Sequence, residues 1–249
     1  SCSVATIVEE EDNPELAVSD EEIMIHYNTK QKESYLNVKY SENISQARLK
    51  ELKSLVFQFK EIFSDVPTIT NLDEHKIDLT DDRPIRCKPY PVPLHLEDAL
   101  NKEIDSMLNA GIIEPSEDYY ASPLVLVKKP DGSIRVCVNY KALNAKTLVS
   151  PYPMLSTDDI MDKLGGSKFY SKFDLCKGYY QIPLEENSRK YSTLICKRGL
   201  YRFTVLPMGL VSAGATFTRM MRKLLNGTDN LDSYLDDVLC HTKTWEDHI

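Results

Sequence analysis

Phe169-Tyr170-Ser171-Lys172-Phe173-Asp174-Leu175 reads as a strand, aromatic and apolar for most of its length, with one carboxylate near its end. A carboxylate in such a strand is costly to bury unless it is paired or holds a metal. About sixty residues on, Tyr234-Leu235-Asp236-Asp237 closes a second apolar segment at or near a hairpin turn, with 238–241 as the return strand. Adjacent residues of a strand point to opposite faces, so only one of Asp236 and Asp237 would face Asp174; at a turn that constraint relaxes. Three such acids suit Mg²⁺, which takes oxygen ligands and keeps waters and substrate phosphates in its shell. Two ions held together can activate a 3′-hydroxyl and stabilise a leaving pyrophosphate. Singly, each acid reads as a surface or turn residue. The strand Asp together with Tyr-Leu-Asp-Asp is the specific signal.

Working outward, 212–226 is expected to be a helix, with Ser212 as cap, Phe217, Met220, Met221, Leu224 and Leu225 as its stripe, and Gly227 as its stop. Residues 192–195 read as a strand, and 156–164 as a short helix closed by Gly165-Gly166. The clearest hairpin joins 123–129 to 133–138 through Pro130-Asp131-Gly132. Before it, 95–110 has a helical stripe of Leu100, Ile104, Met107 and Leu108, stopped by Gly111. Four prolines in 83–93 predict an extended strap, and 74–79 a short strand. Leu49, Leu52, Val56, Phe59 and Phe63 predict a helix over 44–63 with Ser45 as N-cap, stopped by Asp65-Val66-Pro67. Mixed helices and strands without strict alternation imply an α+β fold around an antiparallel sheet. Three regions are expected: an acidic, poorly ordered linker over 1–43, a helix–strap–helix region over 44–118, and a core over 119–249.

The 249 residues are 42% hydrophobic and 27% charged, ordinary for a globular chain, and no apolar run reaches membrane-spanning length. A first residue other than Met and the lack of a basic leader point to an excerpt or processed product without a signal peptide. The net charge of −8 comes from residues 1–29, which hold eight acids and no Lys or Arg. Residues 119–223 carry 17 Lys/Arg against 7 Asp/Glu. Nucleic-acid affinity follows the face presented and not the total, so the acidic sum does not exclude such a partner; a solvated basic surface is the plain alternative. No two of the six cysteines are closer than 20 residues, which excludes a C-x-x-C pair and suits free thiols in a reducing compartment. His75, His95, His241 and His248 show no paired ligand spacing.

From about Phe59 onward the sequence resembles the reverse transcriptase of gypsy-type LTR retroelements, relatives of retroviral polymerases. The matching stretches run in order: 61–67 (EIFSDVP), 74–79 (EHKIDL), 88–93 (KPYPVP), 110–115 (AGIIEP), 122–138 (SPLVLVKKPDGSIRVCV), 140–144 (YKALN), 151–153 (PYP), 173–183 (FDLCKGYYQIP), 206–210 (LPMGL), 215–217 (ATF) and 234–237 (YLDD). Several are weak singly; their order and spacing carry the resemblance. It implies the fingers and palm of a right-hand polymerase, with an antiparallel palm sheet, truncated before the thumb. It assigns the metal-binding and catalytic acids to Asp174, Asp236 and Asp237, with the backbone carbonyl of Leu175 assisting two Mg²⁺ ions (Mn²⁺ as substitute). Lys129 and Arg135 fall where the fingers hairpin holds the incoming triphosphate, which agrees with two cations bracketing a polyanion. Tyr179 falls where an aromatic sits under the sugar and excludes a 2′-hydroxyl. Met208 and Gly209 fall on the loop beside the base, where close backbone approach explains the glycine.

The departures are Met208, where an aromatic or Gln is usual, Asn139 for a common Asp, and Val211-Ser212-Ala213-Gly214 for N-A-P. The implied function is RNA-directed DNA polymerase, moving a nucleotide from a dNTP to a primer 3′-hydroxyl on an RNA or DNA template. The implied context is a pol polyprotein, protease upstream and thumb, ribonuclease H and integrase downstream. The implied location is cytoplasmic, including virus-like particles, neither secreted nor in a membrane. The alternative is an inactive or co-opted remnant that binds nucleic acid without catalysis. A nucleotide cyclase, which shares the palm, would not need the hairpin at 128–135.

Overall fold

The aromatic strand expected at 169–175 forms over those residues in a computed structural model of the chain, and it lies at the centre of a sheet. The structure describes residues 2–9, 34–64, 66–128, 134–153, 157–234 and 236–249. In chain order the elements are β1 (Cys2–Glu9), β2 (Lys39–Tyr40), α1 (Gln46–Gln58), α2 (Leu94–Asn109), β3 (Ile113–Pro115), β4 (Ser122–Lys128) and β5 (Ile134–Val138). Then follow α3 (Lys141–Asn144), α4 (Thr157–Leu164), β6 (Phe169–Leu175), α5 (Glu186–Arg189), β7 (Leu194–Cys196), β8 (Gly199–Phe203), α6 (Ala213–Leu224), β9 (Leu231–Tyr234) and β10 (Asp237–Thr242). Short 3₁₀ turns stand at Ser34–Asn37, Lys60–Ile62, Gly178–Gln181 and Lys190–Ser192.

Two five-stranded sheets result, in the orders β2-β1-β6-β10-β9 and β3-β8-β7-β4-β5. All pairings are antiparallel except β1 with β2 and β4 with β7. The first sheet carries the acids; the second carries the β4–β5 hairpin, whose turn residues 129–133 lie outside the described residues. One hydrophobic cluster joins the sheets, and Ile104, Ile182, Leu194, Leu206, Phe217 and Met221 are nearly or fully enclosed in it. Ile77 and Leu100 share that cluster, so the core crosses residue 118 without a break. A second cluster of Ile44, Leu52, Phe169 and Trp245 docks α1 on the first sheet. There the Arg48 guanidinium lies 4.9 Å from the Phe169 ring and 5.3 Å from that of Trp245.

Several expectations need correction. The linker reading of 1–43 fails at both described ends. Cys2–Glu9 pairs with β6 along its length, and Val38 is buried. The physical reason is the run Val4-Ala5-Thr6-Ile7-Val8, good strand material that the acidic tract after it obscures in a composition average. Residues 10–33 lie outside the described residues. The first helix starts after Ser45, whose hydroxyl accepts from the Arg48 N–H as a cap should, but it ends at Gln58. Phe59 leaves the helical region at φ −106°, ψ 26° and stands half-exposed, and Phe63 is buried beyond a 3₁₀ turn. Asp65, part of the expected stop, lies outside the described residues.

No strand forms at 74–79. The period-2 burial of His75 and Ile77 is real, but the chain meets two partners in turn, Leu184 at His75 and Thr147 at Leu79. The proline strap is extended, with a single bridge from Arg86 to Ala121. Ser192 sits in a 3₁₀ turn and not in β7, because its hydroxyl bonds Arg189 O and the Phe203 N–H. Ser212 precedes α6 without a side-chain cap bond, and its buried hydroxyl has no partner. Leu224, expected on the buried stripe of α6, is exposed. The short strands β3 and β8 had no pattern long enough to read.

Candidate active site

The register of β6 and β10 places Asp174 directly opposite Asp237. Side chains of such a pair share one face of the sheet. Asp236 stands one residue earlier, at the turn from β9, and its carbonyl accepts from the Leu175 N–H at 2.9 Å. That bond joins the two segments that carry the acids, so the constraint against adjacent aspartates sharing a site is relaxed by the turn. Leu235, between Tyr234 and Asp236, lies outside the described residues.

The electrostatics of the corner are uneven. One Asp236 oxygen, Oδ1, is buried without a hydrogen-bond partner, and burial together with the charges of Asp174 and Asp237 pushes its carboxyl up to about 6. Asp174 is also raised, by burial first and by Asp237 second, with Lys172 opposing. Asp237 is paired with Lys172, Nζ to Oδ2 at 3.0 Å. An orphaned, partly desolvated carboxylate oxygen among three acids is what a bound cation would satisfy, so the donor set fits a hard divalent ion. As they stand, no three His, Cys, Asp or Glu side chains among the described residues are arranged to hold an ion.

Lys177 turns the chain just after β6 in the left-handed conformation, at φ 47°. Gly178 follows, packed so tightly that a Cβ there would stand 2.8 Å from the Phe217 ring and 3.5 Å from Asp236 Oδ1. Next comes Tyr179, whose ring stacks on Phe217 with centroids 5.1 Å apart. Burial and the nearby Asp236 charge raise its phenol. The structure thus brings Tyr179 to the same corner as the acids.

Arg135, Met208 and Gly209 form a second group. Arg135 Nη2 donates to Met208 Sδ at 3.2 Å, and Met208 is largely exposed. Gly209 has φ +96°, a conformation that favours glycine. Asn144 clamps this loop from α3: its Nδ2 donates to Gly209 O at 2.8 Å, and its Oδ1 accepts from the Val211 N–H at 3.0 Å. Lys129 lies outside the described residues. Lys172, Asn144, Gly178 and Phe217 escaped the reading of the sequence as site residues. Lys172 was detectable, since it lies two residues from Asp174 and so on the same strand face. The other three depend on long-range packing.

Three histidines, His75, His241 and His248, are bonded within the fold. His75 Nδ1 lies 2.8 Å from Thr216 Oγ1. His241 lies between Ser167 and Asp232, each at 3.1 Å. His248 bonds Ser171 and Thr242. Cys87, Cys137, Cys176, Cys196 and Cys240 are not joined in disulfides.

The architecture matches that of solved viral polymerases. The Prototype Foamy Virus protease–reverse transcriptase superposes with a TM-score of 0.75 at 22% identity, over 83% of this chain and 28% of that one. The same holds for the foamy viral protease–reverse transcriptase in complex with an RNA/DNA hybrid. At that identity the likeness defines the fold, an α+β polymerase fingers and palm. Residues 127–249 match the family described as reverse transcriptase (RNA-dependent DNA polymerase). The retrovirus-related Pol polyproteins from transposons 412 and 297 of Drosophila melanogaster are each 33% identical, over 76% and 84% of this chain. The Transposon Tf2-3 polyprotein of Schizosaccharomyces pombe is 30% identical over 80% of it. The chain carries a reverse transcriptase domain of the kind found in Pol polyproteins of LTR retrotransposons. It spans 16% and 21% of the two Drosophila polyproteins.

Proposed function

We propose that this chain supplies the fingers and palm of an RNA-directed DNA polymerase, extending a primer 3′-hydroxyl with dNTPs on an RNA or DNA template. The observation that carries this reading is the opposition of Asp174 and Asp237 across β6 and β10, with Asp236 beside them at the turn. Asp174, Asp236, Asp237 and the Leu175 carbonyl would hold two Mg²⁺ ions. When bound, such ions supply Lewis-acid activation of the hydroxyl and charge neutralisation at the triphosphate.

The chain's own residues do the positioning. Arg135 presents a forked donor set for the triphosphate, and Met208, its thioether partner, would release it to that ligand. Tyr179, seated on Phe217, would set the floor under the sugar and exclude a 2′-hydroxyl. Gly209 admits the base close to the backbone, and Asn144 keeps that backbone fixed. Lys129, by the family resemblance, would share the triphosphate grip with Arg135. Catalysis would come from this alignment and from charge stabilisation more than from proton transfer. The partners of the reading are template–primer, dNTP, and the remaining domains of a pol polyprotein: protease upstream, and thumb, ribonuclease H and integrase downstream. Its location is the cytoplasm, including virus-like particles; no helix among the described residues is long and apolar enough to cross a membrane.

Primer extension on an RNA template with dNTPs and Mg²⁺, run beside Asp236→Asn, tests the reading. Extension by the parent and none by the variant is expected. Template–primer binding without extension by either chain would leave only a nucleic-acid-binding remnant. Equal extension by both would remove Asp236 from the site.

A further inference from the structure

Lys172 reaches the acidic corner from within the central strand. It precedes Asp174 by two residues in β6, so both side chains rise from one face of the sheet. Its ammonium lies 3.0 Å from Asp237 Oδ2, on the strand opposite. Both partners are about half-exposed, at 49% and 42%, so the pair is solvated and exchangeable and not locked in the core. The Asp236 oxygen beside them has no partner. One carboxylate of the corner is therefore neutralised by a protein cation while its neighbour stays unsatisfied.

We propose that Lys172 is a built-in counter-cation that holds Asp237 before divalent metal binds and competes with the metal for that carboxylate. The inference rests on the reading of Asp174, Asp236 and Asp237 as metal ligands. On metal entry the Lys172–Asp237 ion pair breaks and a carboxylate–metal contact forms. Lys172 keeps its proton and turns into solvent, so no proton or electron changes hands. The pair serves two ends. It lowers the repulsion among three acids while no ion is present, and it keeps Asp237 on the correct face of the sheet. The cost is weaker metal affinity, since each binding event must first break an ion pair. Lys172 is a positioning residue, acting through Asp237.

The test is direct titration of the full chain with Mg²⁺, without nucleotide or template, by calorimetry. Mn²⁺ followed by electron paramagnetic resonance serves as the second probe. Lys172→Met is expected to bind metal about two- to fivefold tighter than the parent, the range set by a solvent-exposed ion pair. Its melting temperature is expected to fall below the parent's in chelator and to rise to meet it at saturating Mg²⁺. Lys172→Arg, which keeps the charge and pairs carboxylates through a fork, is expected to bind metal no tighter than the parent and guards against a misfolded Met variant. Equal or weaker binding by Lys172→Met overturns the proposal while leaving the metal site intact. Binding unaffected by Asp236→Asn, or no binding by any chain, overturns the metal reading and this proposal with it.

Discussion

Gly178 and Phe217 are in contact so close that a methyl group on residue 178 would stand 2.8 Å from the ring. Phe217 is 1% exposed on α6 and has nowhere to retreat. The same ring carries Tyr179 at 5.1 Å. Gly178→Ala is therefore expected to cost about 1–3 kcal/mol in urea unfolding, as overpacking does. It should also tilt Tyr179 and narrow the preference for dNTP over rNTP in single-nucleotide incorporation. Combined with Phe217→Leu, it should recover part of the loss, because neighbours that share one space are not additive. Additive effects in that cycle would mean that the ring does not set the Tyr179 position.

The Asn144 side chain makes both of its hydrogen bonds to one loop, at Gly209 and Val211. Asn144→Ala is expected to free that loop at a cost of about 1–3 kcal/mol for two lost bonds. In primer extension the loss should appear as a raised KM for dNTP with template–primer affinity unchanged. Asn144→Asp keeps the acceptor for the Val211 N–H and loses the donor to Gly209, so an intermediate effect is expected. A change confined to template–primer affinity would place Asn144 elsewhere in the function.

Much of the site was legible because its signals are local. Asp174 inside an aromatic strand and Tyr-Leu-Asp-Asp at a turn announce themselves by chemistry out of place. The β6 limits and the hairpin strands β4 and β5 followed from periodicity. What escaped depends on tertiary partners. The stretch at 74–79 alternates like a strand but divides its bonding between Leu184 and Thr147. Strand β1 was hidden by the acids that follow it. Phe217 reads as a helix-stripe residue in sequence, and only packing brings it under Tyr179. Asn144 closes its bonds across 65 and 67 positions of the chain, a pairing no local pattern carries.

His75 gives the fold a dependence on pH with a definite sign. It is almost fully buried, and burial with the Arg219 charge lowers it from 6.5 to about 4, against the pull of Asp73. In the folded chain it is neutral from pH 6.5 down to about 4, whereas the unfolded chain takes up a proton over that window. Its contribution is therefore complete above pH 6.5 and is lost as pH falls toward 4, by up to about 3 kcal/mol. His75→Asn, which does not titrate, should show a shallower fall in unfolding free energy between pH 6.5 and 4. Parallel curves for parent and variant would contradict the burial of a neutral imidazole.

Asp232 anchors the hairpin that presents Asp236 and Asp237. It sits in β9, buried, bonded to Lys163 of α4 on one side and to His241 of β10 on the other. His241 in turn meets Ser167, so the relay joins α4, the entry to β6 and both hairpin strands. Burial pushes the Asp232 carboxyl up, but the bonds from Lys163 and His241 outweigh it and hold the group below the usual range. A depressed carboxyl stabilises above its unfolded pKa and loses that contribution as pH falls through the folded value. Asp232→Asn is thus expected to destabilise the chain by about 1–3 kcal/mol at pH 7, since the bonds of a buried carboxylate to half-exposed Lys163 and to His241 are weakened. The gap should close below pH 4. Because Asp232 lies in β9, the strand that leads into the turn carrying Asp236, the variant should also weaken Mg²⁺ binding at neutral pH without touching a ligand. Unchanged metal affinity together with lowered stability would show that the relay supports the sheet and not the placement of the acids.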